Sequence, residues 1–109
     1  MITDIFCKII NGEIPAEVVY QDDHVWVIKD IAPQAPVHFL IIPVKHFTGL
    51  DDVAEHDEAL LGKLFRVAHD MAKKQNLDKG YRLVVNEGEH GGKLVPHLHI
   101  HLLGGKNLK

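Results

Sequence analysis

The stretch Val95–Gly105, VPHLHIHLLGG, places His97, His99 and His101 at every second position of an apolar run. In an extended strand successive side chains point to opposite faces, so residues two apart share a face. Leu98, Ile100 and Leu102 then form one apolar face, and the three imidazoles line the other. The spacing predicts a strand through the whole stretch. What the histidine row faces decides the chemistry.

A row on a straight strand does not gather three ligands around one ion. At ~3.3 Å per residue His97 and His101 start ~13 Å apart, while a side chain plus a metal–nitrogen bond reaches only ~5–6 Å. Two of the three is the limit. A different set, Asp4, Cys7, His46 and His97, converges if the N-terminal segment packs nearby. Chemistry on a phosphate suits the row better and calls for no metal and no cofactor. A neutral imidazole nitrogen is a good nucleophile towards phosphorus, and an adjacent imidazole can donate a proton. Two cationic rings ~7 Å apart repel by ~2 kcal/mol at an effective dielectric near 20, more than one pKa unit. The row is therefore expected to hold mixed charge states at neutral pH. His38, opening the apolar run HFLIIPV, extends the network if its strand pairs beside the last one.

NEGEHGGKLVPH, just upstream, carries Gly88, Gly91 and Gly92. Glycines allow backbone N–H groups to turn towards an anion, and a plain hairpin turn is the alternative use. Asp30, ending another apolar run, is a candidate acceptor for sugar hydroxyls, with turn capping its commoner role.

The rest of the chain supplies the frame. IFCKII is a short amphipathic segment with Ile5, Ile9 and Ile10 at helical spacing, ended by Gly12 and Pro15. Val18–Tyr20, HVWVIKD, HFLIIPV, YRLVVN and VPHLHIHLLG read as five strands. Asp22-Asp23 marks a turn, and the prolines of IAPQAP exclude regular structure there. From about Glu55 to Gln75, Leu60, Leu61, Leu64, Val67, Ala68 and Met71 recur at three- and four-residue steps, giving a long helix. Acidic residues crowd its start, Lys73 and Lys74 its end, and Gly80 is the expected stop. Five strands joined by short connections, one long helix and one short helix make an α+β domain with an antiparallel sheet.

The 109 residues suit a single domain, residues 1–109, and 46% hydrophobic content is enough for one core. A net charge of −3 offers no basic field for a nucleic-acid polymer. The single cysteine excludes an intrachain disulfide and fits a reducing compartment. The N-terminus does not read as a signal peptide, and no apolar run approaches the ~20 residues of a membrane helix. A cytoplasmic protein without a membrane partner is expected.

HLHIHLL, His97–Leu103, resembles the signature of the histidine triad (HIT) family: three alternating histidines followed by two apolar residues. DIFCKIINGEIPA, KDIAPQAPVHFLIIPVKH and KGYRLVVNEG resemble blocks of its Hint branch, the purine nucleoside phosphoramidate hydrolases, over nearly the whole chain. The resemblance implies a HIT-like fold whose five-stranded sheet becomes one of ten strands in a homodimer. It implies a nucleotide phosphoramidase-type hydrolase acting on purine nucleoside 5′-phosphoramidates and acyl-nucleotides through a nucleotidyl-histidine, with an AMP-like ligand. His99 would be the nucleophile, His101 the phosphate and proton-transfer partner, His97 the residue orienting His99, and His38 the end of the cluster. Asp30 would grip the ribose beside Ile31, and Asn86 would position the phosphate end. Gly92, Lys93 and Leu94 would form the phosphate loop, with His99 and His101 also touching substrate. Phe6, Ile9, Ile14 and Ile28 would form the purine slot.

Lys93 stands where the family usually has Gln, Leu94 where some members have Ser, and the chain stops at Lys109 where relatives often continue with a tail. Some bacterial relatives bind zinc through Cys-x-x-Cys near the N-terminus, and here DIFC keeps only Cys7. Two alternatives stay open: dinucleoside polyphosphate hydrolysis, and a purine nucleotide-binding or interaction module with vestigial turnover.

Overall fold

A computed structural model describes residues 4–109, with the elements α1 (Ile5–Ile10), β1 (Val18–Gln21), β2 (Val25–Lys29), β3 (Val37–Pro43), α2 (Glu58–Lys74), β4 (Tyr81–Val84) and β5 (Ile100–Gly104). Two 3-10 turns, Leu50–Asp52 and Glu55–Asp57, lead into α2. The five strands form one sheet in the order β1-β2-β3-β5-β4, with every neighbouring pair antiparallel. The α+β expectation holds. Among the described residues no helix is long and apolar enough to cross a membrane.

Strand alternation sorts the side chains into two layers. Val25, Val27, Phe39, Ile41, Ile100 and Leu102 pack with Leu64, Val67, Ala68 and Met71 of α2. Each fully buried aliphatic there contributes roughly 1.5–3 kcal/mol relative to exposure. Ile28, Leu40 and Ile42 point the other way and pack with Phe6 and Ile9 of α1. The long helix covers one face, and the short helix covers part of the face that carries the histidines.

Three local expectations change. The buried stripe of α1 is Phe6 and Ile9, while Ile5 is exposed, so the helix docks through i and i+3. The last turn of α2 is stopped by Asn76, whose φ of 57° is left-handed, and Gly80 lies beyond, in the turn into β4. Asparagine tolerates that conformation better than most residues. The strand expected from Val95 begins only at Ile100. The register pairs Ile41 with Ile100, so continuing it would set Leu98 opposite Pro43, which has no N–H to donate. The Leu98 N–H instead reaches the Phe47 carbonyl at 2.8 Å. The histidine row therefore starts in a bend and enters the ladder only at His101.

Candidate functional site

His101 and His38 meet through sheet register. Leu40 pairs with His101 and His38 with Leu103, so the two histidines are diagonal neighbours on one face. The Gln34 N–H donates to His38 Nδ1 at 3.1 Å, which places the proton of a neutral ring on Nε2. That Nε2–H has two acceptors, His101 Nδ1 at 3.0 Å and Asp30 Oδ2 at 3.4 Å. His101 Nδ1 thus accepts, and its own proton sits on Nε2.

His99 is set by the backbone. Its Nδ1–H donates to the His97 carbonyl at 2.7 Å, leaving Nε2 as the ring's free lone pair. Phe6 stands edge-on to it with centroids 5.0 Å apart, and the His101 ring is at 4.9 Å. Burial pushes the His99 pKa down, and the His97 carbonyl only partly restores it. Burial, then His99 and His38 as neighbours, lower His101 to about 4. Both rings are held towards neutrality, in place of the mixed charge expected from repulsion alone. Desolvation acts on each ring and outweighs the pairing of a charged ring with a neutral one.

His97 lies apart from this pair. It is fully buried, its Nε2–H donates to the Pro43 carbonyl at 3.0 Å, and its Nδ1 faces Asp4, Cys7 and His46. The convergence of those four residues holds once α1 docks. Asp4 caps α1, its Oδ1 accepting the Cys7 N–H at 2.8 Å. Burial raises the Cys7 thiol, with the Asp4 carboxylate adding to that effect.

The glycine loop differs from an anion nest. The N–H groups of Gly91, Gly92 and Lys93 donate to the carbonyls of Gly88, Glu89 and Gly88, and Asn86 Nδ2 donates to the Gly91 carbonyl at 2.8 Å. Those three donors are used inside the turn. Lys93 is neither in solvent nor aimed at the histidines. Its Nζ bonds the Thr48 carbonyl and lies 3.6 Å from Glu87 Oε1, while Glu87 accepts the Leu50 N–H. The loop is thereby latched to residues 48–50. Gly49 makes room for the latch, since a Cβ there would overlap the Lys93 ammonium and the Glu87 carboxylate. Neither Gly49 nor Glu87 carries a local signal in the sequence, because the latch joins segments 37 residues or more apart.

Asp30 does cap a turn, accepting the Ala32 N–H at 2.8 Å through Oδ1, and Oδ2 faces His38. Ile31 and Leu94 are each 94% exposed and touch none of the histidines through a hydrogen bond or ring contact. The four expected slot residues gather as one cluster, but Phe6, Ile9 and Ile28 are buried and only Ile14 is half-exposed. Of the expected site residues, His38, His99, His101 and Asp30 form one connected group. Asn86, Gly92 and Lys93 belong to the latched loop.

The HIT domain family matches residues 11–108. An uncharacterized HIT-like protein of Synechococcus elongatus is 49% identical over 104 residues, covering 95% of this chain and 91% of that protein. A solved HIT family hydrolase from Legionella pneumophila superimposes with a TM-score of 0.95 at 45% identity, over 98% of this chain and 96% of the other. A histidine triad nucleotide-binding protein from Candida albicans gives 0.87 at 32% identity, over 96% and 76% of the two chains.

Proposed function

This chain belongs to the HIT domain family, and from that premise we propose that it hydrolyses purine nucleoside 5′-phosphoramidates and related acyl-nucleotides, as in the Hint branch. The single observation carrying this reading is the bond from His99 Nδ1–H to the His97 carbonyl, which leaves Nε2 unprotonated beside a proton-bearing His101. Names of solved relatives, a HIT family hydrolase and a histidine triad nucleotide-binding protein, agree with a hydrolase acting on a nucleotide.

In the first step His99 Nε2 attacks phosphorus, a P–N bond to the enzyme forms, and the P–N bond to the leaving amine breaks. The His38–His101 pair, linked at 3.0 Å between His38 Nε2 and His101 Nδ1, first takes up one proton from solvent; the amine leaves with a proton delivered through His101 Nε2, and the pair returns to neutral. In the second step water attacks the phosphoryl group, gives up a proton to the histidine network and frees His99 and the nucleoside monophosphate. The His97 carbonyl stabilises the positive charge on the phosphorylated ring. Asp30 is assigned to the ribose beside Ile31. Asn86, Gly92, Lys93 and Leu94 are assigned to the phosphate end, with Asn86 and Lys93 acting by shaping the loop.

We assign the whole chain to one HIT domain, with a second copy joining its sheet through an open edge, β1 or β4. Sedimentation at micromolar concentration checks that: a monomer removes the dimer assignment without touching the chemistry.

The function is tested with adenosine 5′-phosphoramidate, an acyl-adenylate and a dinucleoside polyphosphate side by side, under mass spectrometry. The expected result is turnover of the first two and a nucleotidyl adduct on His99. An adduct and full turnover in His99→Ala overturns the assignment. Preference for the polyphosphate selects the sister activity, and tight AMP binding without turnover selects the binding module.

A further inference from the structure

We infer that Asp30, beside its proposed contact with the ribose, is the counter-charge and spare acceptor through which the His38–His101 pair carries the proton given to the leaving amine, a role that rests on the hydrolase reading. The backbone builds its placement. Asp30 directly follows β2, where Lys29 pairs with Phe39, and its N–H donates to the His38 carbonyl at 3.0 Å. Its Oδ1 accepts the Ala32 N–H at 2.8 Å, and its Oδ2 lies 3.4 Å from His38 Nε2. One carboxylate oxygen of Asp30, one ring nitrogen of His38 and one of His101 all lie within 4.8 Å of one another.

Without that oxygen the pair has no place for a third proton. At rest each ring carries one proton, on Nε2, and the two lone pairs are both on Nδ1. The Gln34 N–H occupies the lone pair of His38 at 3.1 Å, so an added proton goes to His101 Nδ1. There it would face the His38 Nε2–H across 3.0 Å, donor against donor. One of those two N–H groups must then turn to another acceptor. Among the described residues Asp30 Oδ2 is the acceptor within reach.

The carboxylate's charge matters as much as its lone pair. Burial, then His99 and His38 as neighbours, push the His101 pKa down, and the Asp30 carboxylate pushes it the other way. His99, with its ring centroid 4.9 Å from that of His101, is the other titratable group facing the pair. Lys93 acts on His99, with its ammonium held by the Thr48 carbonyl. Among the described residues no lysine, arginine or second carboxylate lies within ion-pair distance of either ring. An opposite charge this close is the one feature of the site that favours a charged pair over the neutral one.

The proton then has a complete route. It enters from solvent at His101 Nδ1, and one N–H of the pair turns onto Asp30 Oδ2. As the bond from phosphorus to the amine breaks, its electron pair stays on nitrogen and takes the His101 Nε2 proton. His101 is left neutral, with Nδ1 protonated and a lone pair on Nε2. Water attacking phosphorus in the second step gives its proton to that lone pair, while the electrons of the bond to the enzyme return to His99 Nε2. The Nδ1 proton goes back to solvent, and the resting tautomers are restored. One nitrogen thus serves as acid and then as base, because Asp30 lets the other side of the ring hold a proton.

The test compares the full chain with Asp30→Asn, which keeps an oxygen for the Ala32 N–H and removes the charge. Nitrogen NMR of the ligand-free protein reads the His101 midpoint, expected to fall by about one pH unit or more when the nearby carboxylate is lost. Rapid-quench mass spectrometry reads adduct formation at saturation from 2′,3′-dideoxyadenosine 5′-phosphoramidate and from the matching acyl-adenylate. Both lack the hydroxyls proposed for Asp30, and the acyl group leaves as a carboxylate that needs no proton. Asp30→Asn is expected to slow the phosphoramidate roughly 3–10-fold more than the acyl compound, because the protonated fraction falls while a stronger acid recovers part of the rate. An equal effect on both compounds, or an unmoved His101 midpoint, overturns the role. Absence of any adduct in the unaltered chain removes the hydrolase reading instead, and the midpoint still decides whether Asp30 supports the proton. Should Asp30→Asn fail to fold, carbon NMR of the Asp30 carboxyl in the unaltered chain decides. Its signal is expected to shift at the His101 midpoint, and a carboxyl blind to that titration overturns the role.

Discussion

His38 on β3 donates through Nε2 to His101 Nδ1 on β5 at 3.0 Å, and that one hydrogen bond sets which nitrogen of His101 carries its proton. His38 is thus a positioning residue acting through His101. Replacing it with phenylalanine removes the donor and is expected to lower turnover on the order of 10²-fold, within the range for a lost acid–base contribution. His38→Gln restores an N–H donor and is expected to recover part of the rate. Nitrogen NMR of the His101 ring checks the cause: its Nε2–H tautomer should weaken in the phenylalanine variant and return in the glutamine one.

His101 is lowered to about 4, chiefly by burial, and then by His99 and His38. The unfolded chain binds this proton near pH 6.5. Between those values the unfolded state holds more protons, so stability rises with pH across that window and falls as pH drops through it. Urea unfolding from pH 4 to 7 is expected to show this slope, flattened in His101→Asn.

Asp22 contributes at lower pH. Burial raises its carboxyl, but the Tyr20 hydroxyl at 2.6 Å, the His24 and Val25 N–H groups at 2.7 and 2.8 Å, and Lys63 at 2.9 Å together hold it well below the usual carboxylate range. A depressed folded pKa means stability present above the unfolded value near 4 and lost as pH falls below it. Asp22→Ala is expected to cost about 1–3 kcal/mol at neutral pH through the unpaired turn donors. Its acid transition should begin at higher pH, as followed by circular dichroism.

Two glycines of the latched loop should respond differently to alanine. A Cβ at Gly91 would strike the Glu87 backbone, whereas one at Gly49 would meet the flexible ends of Lys93 and Glu87. Gly91→Ala is expected to destabilise by about 1–3 kcal/mol, the usual cost of forced overpacking. Gly49→Ala should cost less, while freeing the Lys93 ammonium. Thermal melts and the salt dependence of AMP binding distinguish the two.

The open edges of the sheet and the latched loop show where the sequence is informative and where it is not. Alternation alone separated Leu98, Ile100 and Leu102 from His99 and His101, because a pleated backbone imposes a period of two whatever surrounds it. The three- and four-residue steps from Leu60 to Met71 likewise announced α2, since an amphipathic stripe is a local property of the helix. The limits of these elements depended on partners. The last strand began five residues late because Pro43, on another strand, cannot donate to it. The α2 stop fell on Asn76, a residue whose left-handed tolerance is weaker than that of the glycine further on.

The row of imidazoles, the two-faced sheet layers and the family resemblance were thus present in the order of residues, because each follows from spacing along one chain. Tertiary structure alone decided the tautomers of His38 and His99 and the lowered pKa of His99 and His101, which depend on the Gln34 N–H, the His97 carbonyl and burial. It also decided that Lys93 ties down a loop, and that Asp4 and His97, 93 residues apart, lie within hydrogen-bonding distance. Proton placement is set by distances of about 3 Å between atoms, and those distances exist only once separate segments have packed together.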